Sequence, residues 1–266
     1  LARRRIREKV FLLTRKRVSL IAALFAAITL LQLPASAQEG EKAAAGPSLT
    51  LPQVVEKLIQ KNAERAHALE SYSGQRDYKI EYKGFPAVLR AEMAVEMTYN
   101  APAHKEFRIL SESGSKFIIK RVLKRLIDAE SEAQESSNRA NVELNPRNYD
   151  FTSLVRESHS GTCSYVIAIQ PKVPNKFLYR GRIWVDDQDF AVCRIEAEPS
   201  RNPSMWITKT EIRHDYKKFG NFWLPVENQS VSNLRLGGRA TLTILYENYE
   251  IKAARVPEEN SPSAGH

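Results

Sequence analysis

Ala87–Tyr99 reads AVLRAEMAVEMTY, and its alternation decides the fold. Ala87, Leu89, Ala91, Met93, Val95, Met97 and Tyr99 fall on one face, while Arg90, Glu92, Glu96, Thr98 and Asn100 fall mostly on the other. That is the period of two a β-strand presents. Thirteen residues at about 3.3 Å each span about 43 Å, well beyond a usual strand. Strands of that length suit a large, strongly curved antiparallel sheet.

Working outward, Tyr78–Tyr82 is the partner strand, joined through Lys83-Gly84-Phe85-Pro86, and His104–Ser111 continues the meander. Upstream, a helix over Thr50–Glu70 is predicted. Thr50 stands as N-cap, Pro52 lies in the first turn, and Gln53 at the third position completes an S/T-x-x-E/Q capping box. Leu51, Val54, Val55, Leu58, Ile59, Ala63, Ala66 and Leu69 form its apolar face. A second amphipathic helix follows the early strands, with Ile118, Ile119, Val122, Leu123, Leu126 and Ile127 as its stripe and Lys116, Lys120, Arg121, Lys124 and Arg125 elsewhere. Its C-terminal half carries Asp128, Glu130, Glu132 and Glu135, an order opposite to the one the helix dipole favours. Either the stripe covers the sheet and the charges are solvated, or the basic face meets acidic phospholipid or an acidic partner.

Ser136–Asn148 is polar, contains Pro146 and reads as a surface loop. Beyond it, Cys163–Gln170, Phe177–Val185, Phe190–Glu198, Met205–Lys217, Phe222–Ser232 and Arg239–Ile251 are strand candidates separated by Gly, Pro, Asn and Asp turn signals. Connections this short force antiparallel neighbours, because parallel pairing needs a crossover of a dozen or more residues.

The N-terminus is a separate matter. Arg3–Arg17 holds eight Lys/Arg against one Glu, Val18–Leu33 is almost wholly apolar, and Ala35-Ser36-Ala37 is a small-residue cleavage signal. The apolar run is shorter than the roughly 20 residues a spanning helix needs. Residues 1–37 are therefore expected to be a signal peptide cut between Ala37 and Gln38, with translation starting further in than Leu1. The junction lacks a Cys for lipidation, so the expected product is a soluble periplasmic protein of a bacterium with two membranes. The leader also carries seven of the chain's nine net positive charges and leaves +2 on the following 229 residues. Near-neutrality removes the electrostatic footprint expected of a nucleic-acid binder.

Residues 38–48 read as a flexible linker, 49–252 as one domain and 253–266 as a disordered tail. Cys163 and Cys193 both fall within predicted strands with another strand between them. Non-adjacent strands lie about 9–10 Å apart, beyond disulfide reach, so no bridge is expected.

Readable catalytic motifs are missing: there is no G-x-S-x-G, P-loop, H-E-x-x-H or dinucleotide fingerprint. His67, His104, His159 and His214 are scattered. Asp186, Asp187 and Asp189 lack the Gly and distant bidentate Glu of an EF-hand. In Arg213-His214-Asp215, strand geometry sends His214 and Asp215 to opposite faces, so they form no dyad. No catalytic residue, metal or cofactor is expected. What remains is apolar concavity: Leu89, Met93, Val95, Met97, Trp206, Ile212, Leu242 and Ile244 would line the covered face of the sheet, either as tight core or as a cavity for an acyl chain to which unbranched methionines adapt.

Three later segments, Phe177-Leu178-Tyr179-Arg180-Gly181-Arg182-Ile183-Trp184-Val185-Asp186, Phe190-Ala191-Val192-Cys193-Arg194-Ile195-Glu196 and Gly220-Asn221-Phe222-Trp223-Leu224-Pro225, resemble stretches in bacterial outer-membrane lipoprotein-sorting proteins. Together with the leader, the N-terminal helix, the long early strands and the intervening helix, the arrangement over Leu49–Ile251 resembles the LolA/LolB-like periplasmic lipoprotein-carrier superfamily. The resemblance implies a mainly β fold with α (α+β), an incomplete antiparallel β-barrel covered by helices. It also implies a monomeric carrier, or chaperone, that binds the acyl chains of a lipoprotein or lipid client and exchanges it with membrane-associated donor or acceptor proteins. A periplasmic sensor or regulator of envelope state on the same fold is the alternative, with an enzyme that lacks a readable motif ranked below it. No family residue role carries over to a position here, and the lipidated N-terminal Cys of the anchored acceptor type has no counterpart.

Overall fold

A computed structural model describes residues 49–102, 104–134, 140–157, 163–202 and 204–254. The leader with its Ala37–Gln38 junction, the linker and residues 255–266 of the tail lie outside the described residues.

The first helix, α1 (Leu51–Ala68), starts where its capping signals place it: the Thr50 N–H donates to Gln53 Oε1 at 2.9 Å. It runs without a loop into β1 (Leu69–Lys83), which is far longer than its alternation from Tyr78 suggested. The diagnostic stretch forms β2 (Leu89–Asn100), and β3 (His104–Gly114) completes the meander. The predicted second helix is continuous through α2 (Lys116–Ile118), one π-helical turn (Ile119–Leu123) and α3 (Lys124–Gln134). Seven strands follow: β4 (Tyr149–Arg156), β5 (Tyr165–Pro171), β6 (Tyr179–Val185), β7 (Val192–Pro199), β8 (Ile207–Phe219), β9 (Phe222–Leu234) and β10 (Arg239–Ala253). Of these, β4 had no sequence signal. It is an edge strand whose alternation is broken by a bulge, where Ser153 takes a φ of 48°.

All ten strands form one antiparallel sheet in the order β3-β2-β1-β10-β9-β8-β7-β6-β5-β4. Within each run every hairpin pairs with its neighbour, and the two runs join where β1 pairs with β10 over Lys83↔Arg239 to Leu69↔Ala253. The edges, β3 and β4, are consecutive in the chain and are linked only through the helical segment. The sheet is thus an incomplete barrel, as the sequence led us to expect. Two glutamates on α3 show its curl. Glu130 binds Lys105 on β3, and Glu132 binds Lys176 in the β5–β6 turn, both at 2.7 Å. In a flat sheet β3 and β6, seven spacings apart in this order, would be separated by about 33 Å. Side chains two residues apart on one helix reach both only because the sheet wraps around that helix.

The helices divide the concave face between them. Val54, Val55 and Leu58 of α1 pack on Tyr165, Ile167 and Ile169 of β5 and on Ile183 and Val185 of β6. Ile118, Ile119 and Leu123 pack on Tyr78 and Ile80 of β1, Ala91, Met93 and Val95 of β2, and Ile244 of β10.

Cys163 and Cys193 form a disulfide, with Cα atoms 6.3 Å apart, contrary to the expectation from strand spacing. Cys163 precedes β5 rather than lying within it, and β6 ends at Val185, opposite Tyr165. Cys193 occupies a bulge between the Val185↔Val192 and Trp184↔Arg194 pairs. The bridge therefore passes the end of the intervening strand instead of crossing its middle.

Candidate functional site

The concave face holds two kinds of surface. Under α2, the π turn and α3 lies an aliphatic floor. Met93 and Met97 are 1 % exposed, Val95 is fully buried, Ile244 is buried and Leu242 half-buried. Met93, Val95, Leu242 and Ile244 belong to one cluster, and Met97 continues the same face of β2. Ile212 lies on the concave face of β8, opposite Ala197 and away from that cluster. Trp206 and Leu89 sit outside the floor, exposed at strand ends.

Beside the floor lies a polar and aromatic stretch that sequence reasoning did not find. Its centre is Arg76 on β1, which is 4 % exposed. Its Nη1 lies 2.6 Å from Glu130 Oε2 and its Nη2 3.2 Å from Oε1, a fork that meets both carboxylate oxygens. Lys105 Nζ adds a third contact to Oε1. The guanidinium also lies over the rings of Tyr246 and Phe107, at 5.1 and 5.4 Å. Burial alone would raise the Glu130 pKa, but Lys105 and Arg76 hold the carboxyl down at about 2. For Arg76 burial works against the charge, and the neighbouring Glu130 reverses that effect, leaving its pKa raised.

Tyrosines extend the surface. Tyr72 packs against Tyr99 at 5.2 Å and Tyr249 at 5.9 Å, and His214 lies between Tyr179 and Tyr216. Burial raises the Tyr72 phenol to about 12 and pushes Tyr216, Tyr246 and Tyr249 up as well. It lowers His214 to about 4, so that imidazole is neutral near pH 7. The even spacing of Tyr72 and Tyr78 was a signal available in the sequence. Tyr246 and Tyr249 gave none, because a spacing of three places strand residues on opposite faces. A bulge in the β1–β10 ladder, with Asn248 at a φ of 56°, brings them to the same side. Arg76 Nε and Asn228 Oδ1 are buried polar atoms with no hydrogen-bond partner among the described residues.

The acidic residues of the β6–β7 turn and Asp215 make local contacts. Asp186 Oδ1 accepts from the N–H groups of Gln188 and Asp189, which closes the β6–β7 turn. Asp187 binds Arg156 and Ser164, while Asp189 binds Lys218 and Trp223. Asp215 faces away from His214 and binds Arg194 and Arg213. Among the described residues no group of three His, Cys, Asp or Glu could hold a metal ion, and no helix is long and apolar enough to cross a membrane.

No family model and no curated protein matches the chain. Among solved structures it is similar to an outer membrane lipoprotein-sorting protein domain from Vibrio parahaemolyticus, at 12% identity over 76% of this chain and 94% of that one, with a TM-score of 0.37. A DUF1329 family protein from Desulfovibrio piger is 13% identical over 79% of this chain and 96% of that one, with a TM-score of 0.40. A LolA superfamily protein from Nitrosomonas europaea is 12% identical over 78% and 96%, with a TM-score of 0.35.

Proposed function

We propose that this chain is an exported, non-catalytic carrier that holds the acyl chains of a lipoprotein or lipid client against the concave face of its sheet. The observation that carries the reading is how the aliphatic floor is covered. Met93, Val95 and Ile244 are buried by a helical segment laid across an open sheet, not by closure of the sheet itself. That segment is bound through an apolar stripe and the Glu130 contacts to Arg76 and Lys105. An acyl chain offers the floor the same kind of contact as the stripe and replaces it when the helix lifts. The aromatic stretch beside the floor suits the junction between chain and head group. The unmatched donor at Arg76 Nε suits the carbonyl of an ester or amide there, and the unmatched acceptor at Asn228 Oδ1 suits an amide N–H, since such buried atoms cost about 1–3 kcal/mol each when unpaired. The leader supports delivery to the periplasm, where a membrane-associated donor and acceptor would load and unload the carrier.

The test is binding of an acylated peptide and its unacylated twin to the purified protein, followed by native mass spectrometry. The carrier reading expects a bound mass with the acylated form alone. Equal binding of both peptides would favour a regulator that recognises a polypeptide, and no binding of either would identify the floor as ordinary core.

A further inference from the structure

One rim of the curved sheet carries most of its exposed apolar side chains. Of the twelve large hydrophobic residues exposed among the described residues, eight lie at this rim: Phe85, Val88 and Leu89 at the β1–β2 turn, Phe117 after β3, Val173 after β5, Met205 and Trp206 before β8, and Leu236 in the β9–β10 turn. None lies in the described turns of the opposite rim, which instead hold Asp186, Asp187 and Asp189.

The turns at this rim touch one another. A Cβ on Gly84 would lie 2.9 Å from Gly238 Cα, which joins the β1–β2 and β9–β10 turns. Arg235 reaches the β7–β8 connection twice, from its N–H to the Trp206 carbonyl and from Nε to the Met205 carbonyl, both at 2.8 Å. The Ser115 N–H donates to the Arg90 carbonyl at 2.7 Å and brings Phe117 alongside. The tips themselves stand clear of the body: Phe85 is 89 % exposed, Leu236 82 % and Met205 76 %. In residues 83–90, 115–117, 200–206 and 235–239 every charged side chain is basic: Lys83, Arg90, Lys116, Arg201, Arg235 and Arg239. Lys83 and Arg90 share the adjacent Glu81, at 2.7 and 2.6 Å, which leaves the cations in excess.

We infer that this rim docks the protein on an anionic phospholipid surface, with Phe85, Met205, Trp206 and Leu236 entering the interface and the Lys/Arg side chains at the head groups. Apolar side chains that protrude singly from separate turns, with an excess of basic charge around them, fit a fluid bilayer, which needs no preformed pocket. An acidic protein partner would have to supply a socket for each tip. The docking does not depend on the carrier reading. If both hold, the start of the covering helix at Lys116 and the floor behind Leu89 come to lie next to lipid.

The described residues from Leu49 onward form one compact unit holding the whole sheet and both helical segments. The material to test is therefore the chain from Gln38 onward, which also removes the apolar leader that would bind vesicles by itself. Sedimentation with phosphatidylethanolamine–phosphatidylglycerol vesicles should retain it at least about tenfold better than phosphatidylcholine vesicles do, and added salt should release it. Phe85→Ser with Leu236→Ser, at exposed positions, should weaken retention about tenfold or more with unchanged circular dichroism. Lys116→Glu with Arg201→Glu and Arg239→Glu should abolish the preference for anionic lipid. Trp184 is buried and Trp223 half-buried, whereas Trp206 is 53 % exposed, so brominated lipid should quench fluorescence that Trp206→Phe removes. Equal retention on both lipids, retention unaltered by the Ser pair, or an absence of quenching would overturn the proposal. So would capture by an acidic protein without vesicle binding.

Discussion

Arg76 on β1 and Glu130 on α3 face each other at 2.6 Å across the concave side of the sheet, and Arg76 is almost wholly enclosed. Removing one partner of such a pair leaves the other charge buried and uncompensated, a loss of about 3–5 kcal/mol. Glu130→Gln should therefore lower the unfolding free energy by about 3 kcal/mol in a urea titration. Lys176→Ala breaks an exposed pair with Glu132 and should change it by less than about 1 kcal/mol.

The same carboxylate makes stability depend on acid. Glu130 is held at about 2 in the folded chain, against about 4.3 when unfolded. Between these values the unfolded state binds more protons, so the contribution is full above about pH 4.3 and is lost as pH falls toward 2. Stability measured at a series of pH values should fall less steeply across that interval in Glu130→Gln than in the parent.

His214 acts in a higher window. Burial lowers it to about 4, whereas an unfolded histidine titrates near about 6.5. The neutral folded imidazole therefore contributes no more than about 3 kcal/mol above pH 6.5, progressively lost down to about pH 4. His214→Phe should flatten the stability profile between those values and leave the lower window unchanged.

The Cys163–Cys193 bridge closes a loop with a sequence separation of 30, for which chain entropy predicts about 3–4 kcal/mol. Cys163→Ser with Cys193→Ser should lower stability by about that amount, and dithiothreitol should bring the parent to the same value. A parent indifferent to reductant would show that the bond does not form.

Gly181 in β6 has a φ of 155°, and a Cβ there would collide with the Glu196 carbonyl oxygen and stand 2.6 Å from Ala197 Cα. Gly181→Ala should cost about 2–3 kcal/mol, read as a lower urea midpoint. Gly220→Ala, also at positive φ but in open space, should cost less.

Much of this fold was legible because its signals are local. The alternation in Ala87–Tyr99, the Thr50-x-x-Gln53 cap and the turn residues between the later strands each act within a few positions. Pro225, which cannot donate to a strand ladder, sits where the β8–β9 register shifts. Signals failed where the backbone departs from regular geometry. The bulge at Ser153 hid β4, the bulge at Asn248 hid the shared face of Tyr246 and Tyr249, and the irregular end of β6 concealed the disulfide. The acidic C-terminal half of the second helix, unexplained by propensity, is accounted for by distant partners: Glu130 meets Arg76 and Lys105, and Glu132 meets Lys176.

The sequence by itself determined the period of each segment, hence the long antiparallel strands and the two amphipathic helices that must cover them, and it places seven of the nine net positive charges within residues 1–37. Those are properties of neighbours along the chain. Only the tertiary structure decided that β1 pairs with β10, that the edges β3 and β4 stay apart, and that Arg76 faces Glu130 from 54 residues away. Such contacts depend on how far a sheet curls and where it bulges, and curl is a sum of small twists over ten strands that no single stretch of sequence records.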